Sequence, residues 1–148
     1  MVTTEVKTTL KEIIALYSIA SDAKDVDGHM QYYAEEGYID GGMKSRTKRA
    51  GMKEDLAHMF AMEGTLKRHL AMNHRFSEHG DQVIVDYLLL VVEGEQLPAV
   101  IATAEVQDTF IQEHGEWKVL KHSIQIDPAM FNLLSQQDTG IDAGVFNK

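Results

Sequence analysis

The sequence predicts an α+β chain with its helices first and its sheet afterwards. Up to Glu63 the apolar residues recur at helical spacing, and from Leu66 onward they alternate over four successive stretches. Turn residues separate those stretches: Gly80-Asp81, Gly94 with Pro98, and His114-Gly115. Helices bury a stripe and sheets bury a face, so the two groups must pack on each other.

Val6, Leu10, Ile13, Ile14, Tyr17 and Ala20 trace one face of a first helix. Thr3 or Thr4 caps it, and Glu5 suits the positive end of its dipole. Asp25 caps a second helix, with Val26, Met30, Tyr33 and Ala34 as its stripe and Gly37 at its end. Tyr38–Asp40 reads as a short strand. The basic cluster Lys44–Arg49 reads as a solvated loop. A third helix covers 52–63, with Met52, Leu56, Met59 and Phe60 on one side and Gly64 after it. The four strands are Leu66–Ser77, Gln82–Val92, Ala99–Gln112 and Glu116–Ile126. Short turns between sequential strands imply an antiparallel meander. Pro128 opens a short C-terminal helix with Met130, Phe131, Leu133 and Leu134 as its apolar residues. With no repeat, linker or low-complexity tract, residues 1–148 read as one domain.

Composition narrows the function classes. A chain of 148 residues can bury a real core, and its formal charge of −9 argues against a nucleic-acid partner. The absence of cysteine excludes disulfides, thiolate nucleophiles and zinc–thiolate sites. The longest apolar run, Tyr87–Val92, is far too short to span a bilayer. Glu5 and Lys7 stand where a signal peptide would carry apolar residues, so the expected location is cytoplasmic and no membrane partner is expected. The histidines form no HxH or HExxH pattern, and neither a metal nor another cofactor is expected. Segment 82–92 is apolar on both faces except at Asp86. One face can cover the helices. The other needs a second partner, which predicts a homodimer through the outer sheet face.

Between Leu10 and Asp127 the chain resembles the SnoaL-like branch of the NTF2-like superfamily. The resemblance rests on the order and spacing of several pieces. These are Tyr17, Asp22, Asp25 and Tyr33, then His69-Leu70-Ala71-Met72-Asn73, then Gly80-Asp81. Asp108-Thr109-Phe110 and Gly115-Glu116-Trp117-Lys118 complete the set. It implies a cone in which N-terminal helices pack in the concave face of a curved antiparallel sheet around a ligand cavity. In the family's dehydratase and dehydrochlorinase branches, an aspartate of the first helix orients a strand histidine that removes a proton from the substrate. Those positions resemble Asp22 and His69. Gln112 stands where the dehydrochlorinase branch has an arginine, and the tyrosine pair of the scytalone-type dehydratases has no counterpart.

His69 is the candidate base, because imidazole titrates near neutral pH. In strict alternation it shares a polar face with Lys67, Ala71, Asn73 and Arg75, which is either solvent-facing or a pocket wall. Helical periodicity alone places Asp22 on a solvated flank, and only the resemblance turns it inward. His74 alternates with Leu70, Met72 and Phe76, opposite to His69. Asp108 is expected to be buried and paired, with Arg75 or Lys121 as partner. Asn73, His122, Tyr17, Tyr33 and Phe60 are the candidate substrate-binding residues. The expected function is a cofactor-independent lyase or isomerase acting on a small, largely apolar molecule. A non-catalytic ligand-binding protein with the same cavity is the alternative.

Overall fold

The protein is described here by a computed structural model covering residues 1–41, 44–63 and 66–129, with the backbone only at 44–46. The expected helix over Met130–Leu134, the tail and the Gly64 terminator lie outside the described residues. Helix α1 runs Thr4–Asp22, and Thr3 caps it by accepting from the Val6 amide at 3.2 Å. Its buried face carries Leu10, Ile13, Ile14, Tyr17, Ser18, Ala20 and Ser21. Helix α2 is only Val26–Met30, capped by Asp25, which accepts from the Gly28 amide at 2.9 Å.

The second helix is shorter than its stripe suggested. Tyr33, Ala34 and Gly37 belong to strand β1, Tyr33–Gly41. Gly37 ends no helix. A Cβ there would lie 2.9 Å from the Val119 carbonyl oxygen, where the register of β1 shifts against its neighbour. The basic cluster is not a loop either: Lys44–Lys48 form β2, paired antiparallel with β1. Arg49 donates to the carbonyls of Met30 at 2.8 Å and Tyr33 at 2.7 Å, tying the end of α2 to the start of β1. Helix α3, Arg49–Met62, buries Met52, Leu56 and Phe60.

Strands β3 (Lys67–His79), β4 (Gln82–Glu93), β5 (Ala99–Glu113) and β6 (Glu116–Ile126) form the antiparallel meander. The turn between β5 and β6 places both His114 and Gly115 at positive φ, 52° and 81°, the geometry that matches strand twist in a tight hairpin. The sheet is six-stranded, in the order β2-β1-β6-β5-β4-β3, curved and unclosed. It is mixed rather than purely antiparallel, because β1 runs parallel to β6. That pairing joins segments far apart in the chain, and local periodicity carries no signal for it. The helices cover the concave face, where Leu10, Ile14, Met52 and Leu56 meet Val85, Val106, Phe110 and Val119. Among the described residues no helix is long and apolar enough to cross a membrane.

Two local features position the interior. Asn73 lies at φ 58° in a bulge where the β3–β4 register shifts between Met72 and Arg75. Asparagine tolerates this left-handed conformation better than most residues do. His29 holds α2 to α1: its Nδ1 lies 3.0 Å from the Tyr17 carbonyl oxygen and 2.9 Å from Ser21 Oγ. Burial lowers His29 to about 4, outweighing the raising effects of the Tyr17 carbonyl and Asp108.

Two stability measurements check these features. Asn73→Val should destabilise the fold by about 1–2 kcal/mol in urea unfolding, whereas Asn73→Gly should be tolerated. The second concerns pH. Between His29's ordinary value of 6.5 and about 4, the unfolded chain binds a proton that the folded chain refuses. Its contribution is therefore complete above the ordinary value and is lost as pH falls through that window, by about 3 kcal/mol. His29→Gln should flatten this part of the stability profile; an unchanged slope would refute the assignment.

Candidate active site

β3 is an edge strand, so one row of its backbone groups has no ladder partner. The last residue of α1 meets that row. The His69 amide donates to Asp22 Oδ1 and Oδ2 at 3.1 and 3.3 Å. The imidazole Nδ1 of the same residue lies 2.6 Å from Asp22 Oδ1. One carboxylate thus covers the strand edge and orients the ring. The side chains of His69 and Asp22 are 17% and 15% exposed. Helical periodicity put Asp22 in solvent because it considers α1 alone. The edge of β3 extends the covered arc of the helix as far as its final residue. With Nδ1–H given to the carboxylate, a neutral His69 carries its lone pair on Nε2.

The bulge at Asn73 changes which β3 residues share a face. Before it, Lys67, His69 and Ala71 turn inward; after it, His74 and Phe76 do. His69 and His74 therefore lie on the same side of the sheet, against the expectation from strict alternation. His74 stacks on Tyr87 with ring centroids 5.3 Å apart, and burial, then the charge of Lys11, lowers its pKa. Asn73 is exposed at the bulge and does not share the inner face with His69. The extra residue that the bulge inserts is the reason.

Deeper in the concave face lies a second histidine–carboxylate pair. Asp108 is fully buried, and its partners are neither Arg75 nor Lys121. His122, directly across the β5–β6 ladder, places Nδ1 2.5 Å from Asp108 Oδ1. Tyr17 donates to Asp108 Oδ2 at 2.5 Å. The Tyr87 hydroxyl, in contact with that of Tyr17, donates to the same oxygen at 3.2 Å. Burial, followed by the charge of Asp108, pushes the phenols of Tyr17 and Tyr33 well above their ordinary value, so both remain protonated. The same two causes lead the upward shift of Tyr87.

Of the aromatic residues expected at the substrate, Tyr17 and Tyr33 pack on His122, and Phe60 packs on His29. Tyr17, Tyr33 and Phe60 are all buried. The Tyr17 ring meets those of His29 and His122 edge-on at 5.4 and 5.6 Å. His29 also packs on Tyr33 at 5.5 Å and Phe60 at 6.0 Å. Sequence reasoning missed His29 and Tyr87 as site residues. Counting back from the His114-Gly115 turn sets Asp108 opposite Lys121, and the register shift between Thr109 and Phe110 brings His122 there instead. The His29 contact depends on how α2 folds back on α1, for which there is no local signal. Among the described residues, no group of three or more His, Cys, Asp or Glu side chains is placed to hold a metal ion.

Comparison with solved structures places the fold. A protein of unknown function with a cystatin-like fold from Nostoc punctiforme is 23% identical, with a TM-score of 0.79 over 87% of this chain and 96% of that one. The protein Aln2 from a Streptomyces species is 18% identical, with a TM-score of 0.76 over 93% and 99% of the two chains. A Novosphingobium aromaticivorans protein provisionally named a scytalone dehydratase is 13% identical, with a TM-score of 0.69 over 82% and 83%. No functionally curated protein matches the sequence. The model of the SnoaL-like domain family matches residues 2–122, and the chain belongs to that family, with its NTF2-like, cystatin-like fold.

Proposed function

We propose that this protein is a cofactor-independent lyase or isomerase for a small, largely apolar molecule, with His69 as the base. The observation that supports this most is the 2.6 Å contact between Asp22 Oδ1 and His69 Nδ1. Asp22 selects the tautomer whose Nε2 can accept a proton, and its charge stabilises the imidazolium that forms. The provisional name of the Novosphingobium relative points to the same reaction class.

The chemistry follows from the two histidine–carboxylate pairs. His69 Nε2 takes a proton from a carbon beside an activating group such as a carbonyl. The electron pair left on carbon forms a double bond as a hydroxyl leaves from the neighbouring carbon. His122, held by Asp108 through Nδ1, is the acid that gives a proton to that hydroxyl as water departs. Isomerisation uses the same first step and returns the proton to a different carbon. Tyr17, Tyr33 and Phe60 form the apolar wall. A positioned base of this kind contributes about 10²–10⁴ in rate.

Assembly is part of the same proposal. The outer face of the sheet carries Leu70, Met72, Leu88 and Val100, all exposed, and the register sets Met72 opposite Leu88 and Leu70 opposite Leu90. Polar residues Glu105, Gln107 and Gln125 border this patch on β5 and β6. An apolar centre with a polar rim suits a second copy of the chain across a two-fold axis.

Proton abstraction is tested by following deuterium uptake from D₂O into a panel of cyclic ketones and β-hydroxyketones. His69→Ala should reduce exchange of the responsive compound by about 10²–10⁴-fold with the fold intact by circular dichroism. Asp22→Asn keeps an acceptor for the His69 amide but removes the charge, and should cost roughly 10²-fold or more. Uptake that is unchanged in both variants would sink the catalytic reading and leave ligand binding in its place. For assembly, Leu88→Lys should give a folded monomer in sedimentation velocity where the parent protein is a dimer. A parent monomer at micromolar concentration would refute the interface.

A further inference from the structure

Three buried side-chain atoms have no hydrogen-bond partner among the described residues: His29 Nε2, Tyr33 Oη and His74 Nε2. Buried polar atoms are nearly always satisfied, so each one asks for an occupant. Two of the three belong to neighbouring rings, since the His29 and Tyr33 centroids are 5.5 Å apart. Both residues are almost fully buried, at 5% and 2% exposure.

The hydrogen-bond pattern decides what these atoms can do. His29 Nδ1 faces the Tyr17 carbonyl oxygen at 3.0 Å. A carbonyl only accepts, so Nδ1 carries the ring hydrogen. Ser21 Oγ, at 2.9 Å from Nδ1, gives its own hydrogen to the same carbonyl at 3.1 Å. In the neutral ring Nε2 is then a bare acceptor. Burial keeps the ring neutral at physiological pH, so His29 is a poor base but a good acceptor. Tyr33 keeps its proton and can both donate and accept. An acceptor on one ring and a phenol on its neighbour, flanked by the rings of Tyr17, Phe60 and His122, match one chemical group. That group is a neutral hydroxyl on an apolar body.

We propose that His29 Nε2 and Tyr33 Oη form a hydroxyl-recognition subsite, which selects ligands bearing a neutral O–H. The ligand hydroxyl donates to His29 Nε2 and accepts from Tyr33 Oη. This deepens the small-molecule reading above and rests on it. The subsite disfavours ethers, which have no hydrogen for His29, and anions, which cannot donate to it and would be buried against Asp108. Phenols, enols and alcohols remain.

The test uses phenol and anisole, which share a ring and differ in the hydroxyl hydrogen. Each is titrated into the whole protein and followed by long-range ¹H–¹⁵N spectra of the imidazoles. Phenol should bind roughly tenfold more tightly than anisole, because anisole leaves the acceptor unsatisfied. The His29 Nε2 resonance should move with phenol and stay with anisole. Tyr33→Phe, which removes one oxygen and should fold normally, should lessen the preference; His29→Gln should change it as well. Equal binding of both probes, with shifts at His69 and none at His29, overturns the subsite while leaving the ligand pocket standing. A water found between His29 Nε2 and Tyr33 Oη that persists with phenol bound also overturns it. If neither probe binds at millimolar concentration, the subsite falls; deuterium uptake dependent on His69 then shows separately whether the catalytic reading survives.

Discussion

A carboxylate without access to water must find its hydrogen bonds inside the protein, and Asp108 finds them on three separate elements. Tyr17 comes from α1, Tyr87 from β4 and His122 from β6. Removing such a group's partners leaves an uncompensated buried charge, which is far more costly than losing the same contacts at a surface. The depth and rotation of α1 over the sheet are therefore tied to this one oxygen pair. Because α1 is held by Tyr17, its last residue comes to the edge of β3, and Asp22 meets His69. The position of the candidate base thus depends on a carboxylate in another part of the site.

The interior is polar in a selective way. His69 and His122 each set Nδ1 against a carboxylate, while His29 sets Nδ1 against a carbonyl. A carboxylate supports a positive ring, and a neutral carbonyl in a dry setting does so much less. The same side chain type thus meets two electrostatic settings: a carboxylate at His69 and His122, and a neutral carbonyl at His29. The burial of His29 and of the Asp108–His122 pair strengthens their interactions relative to the same contacts at a surface.

The bulge at Asn73 has a comparable effect on the sheet. One extra residue lets His69 and His74 face the same interior, while Leu70 and Met72 meet Leu88 and Leu90 on the opposite surface. The strand can therefore serve the concave site at both ends and still keep an apolar patch outside. A regular strand of the same composition would put one of the two histidines into solvent.

The alternation of β4 and the stripe of α1 are local properties, legible without the fold: helices first, a four-strand meander after, and Tyr17, Tyr33 and Phe60 in the interior. The order of His69, Asp22 and their neighbouring motifs also marked the family and its candidate pair. Asp108 was legible as a buried, paired carboxylate but its partner was not, since regular register sets it opposite Lys121 and the shift between Thr109 and Phe110 puts His122 there. Other features needed the folded chain. Gly37 reads as a helix end from its neighbours, but it is a strand residue because the Val119 carbonyl lies against it. Lys44–Lys48 reads as a loop from its charge, but it pairs with β1. Asp22 points inward only because a distant strand edge offers it unpaired amide hydrogen. His29 is an interior acceptor only because α2 folds back on the carbonyl of Tyr17. Periodicity reports which face of an element is apolar. It does not report which element arrives at that face, and hydrogen bonds between distant segments are decided by that arrival.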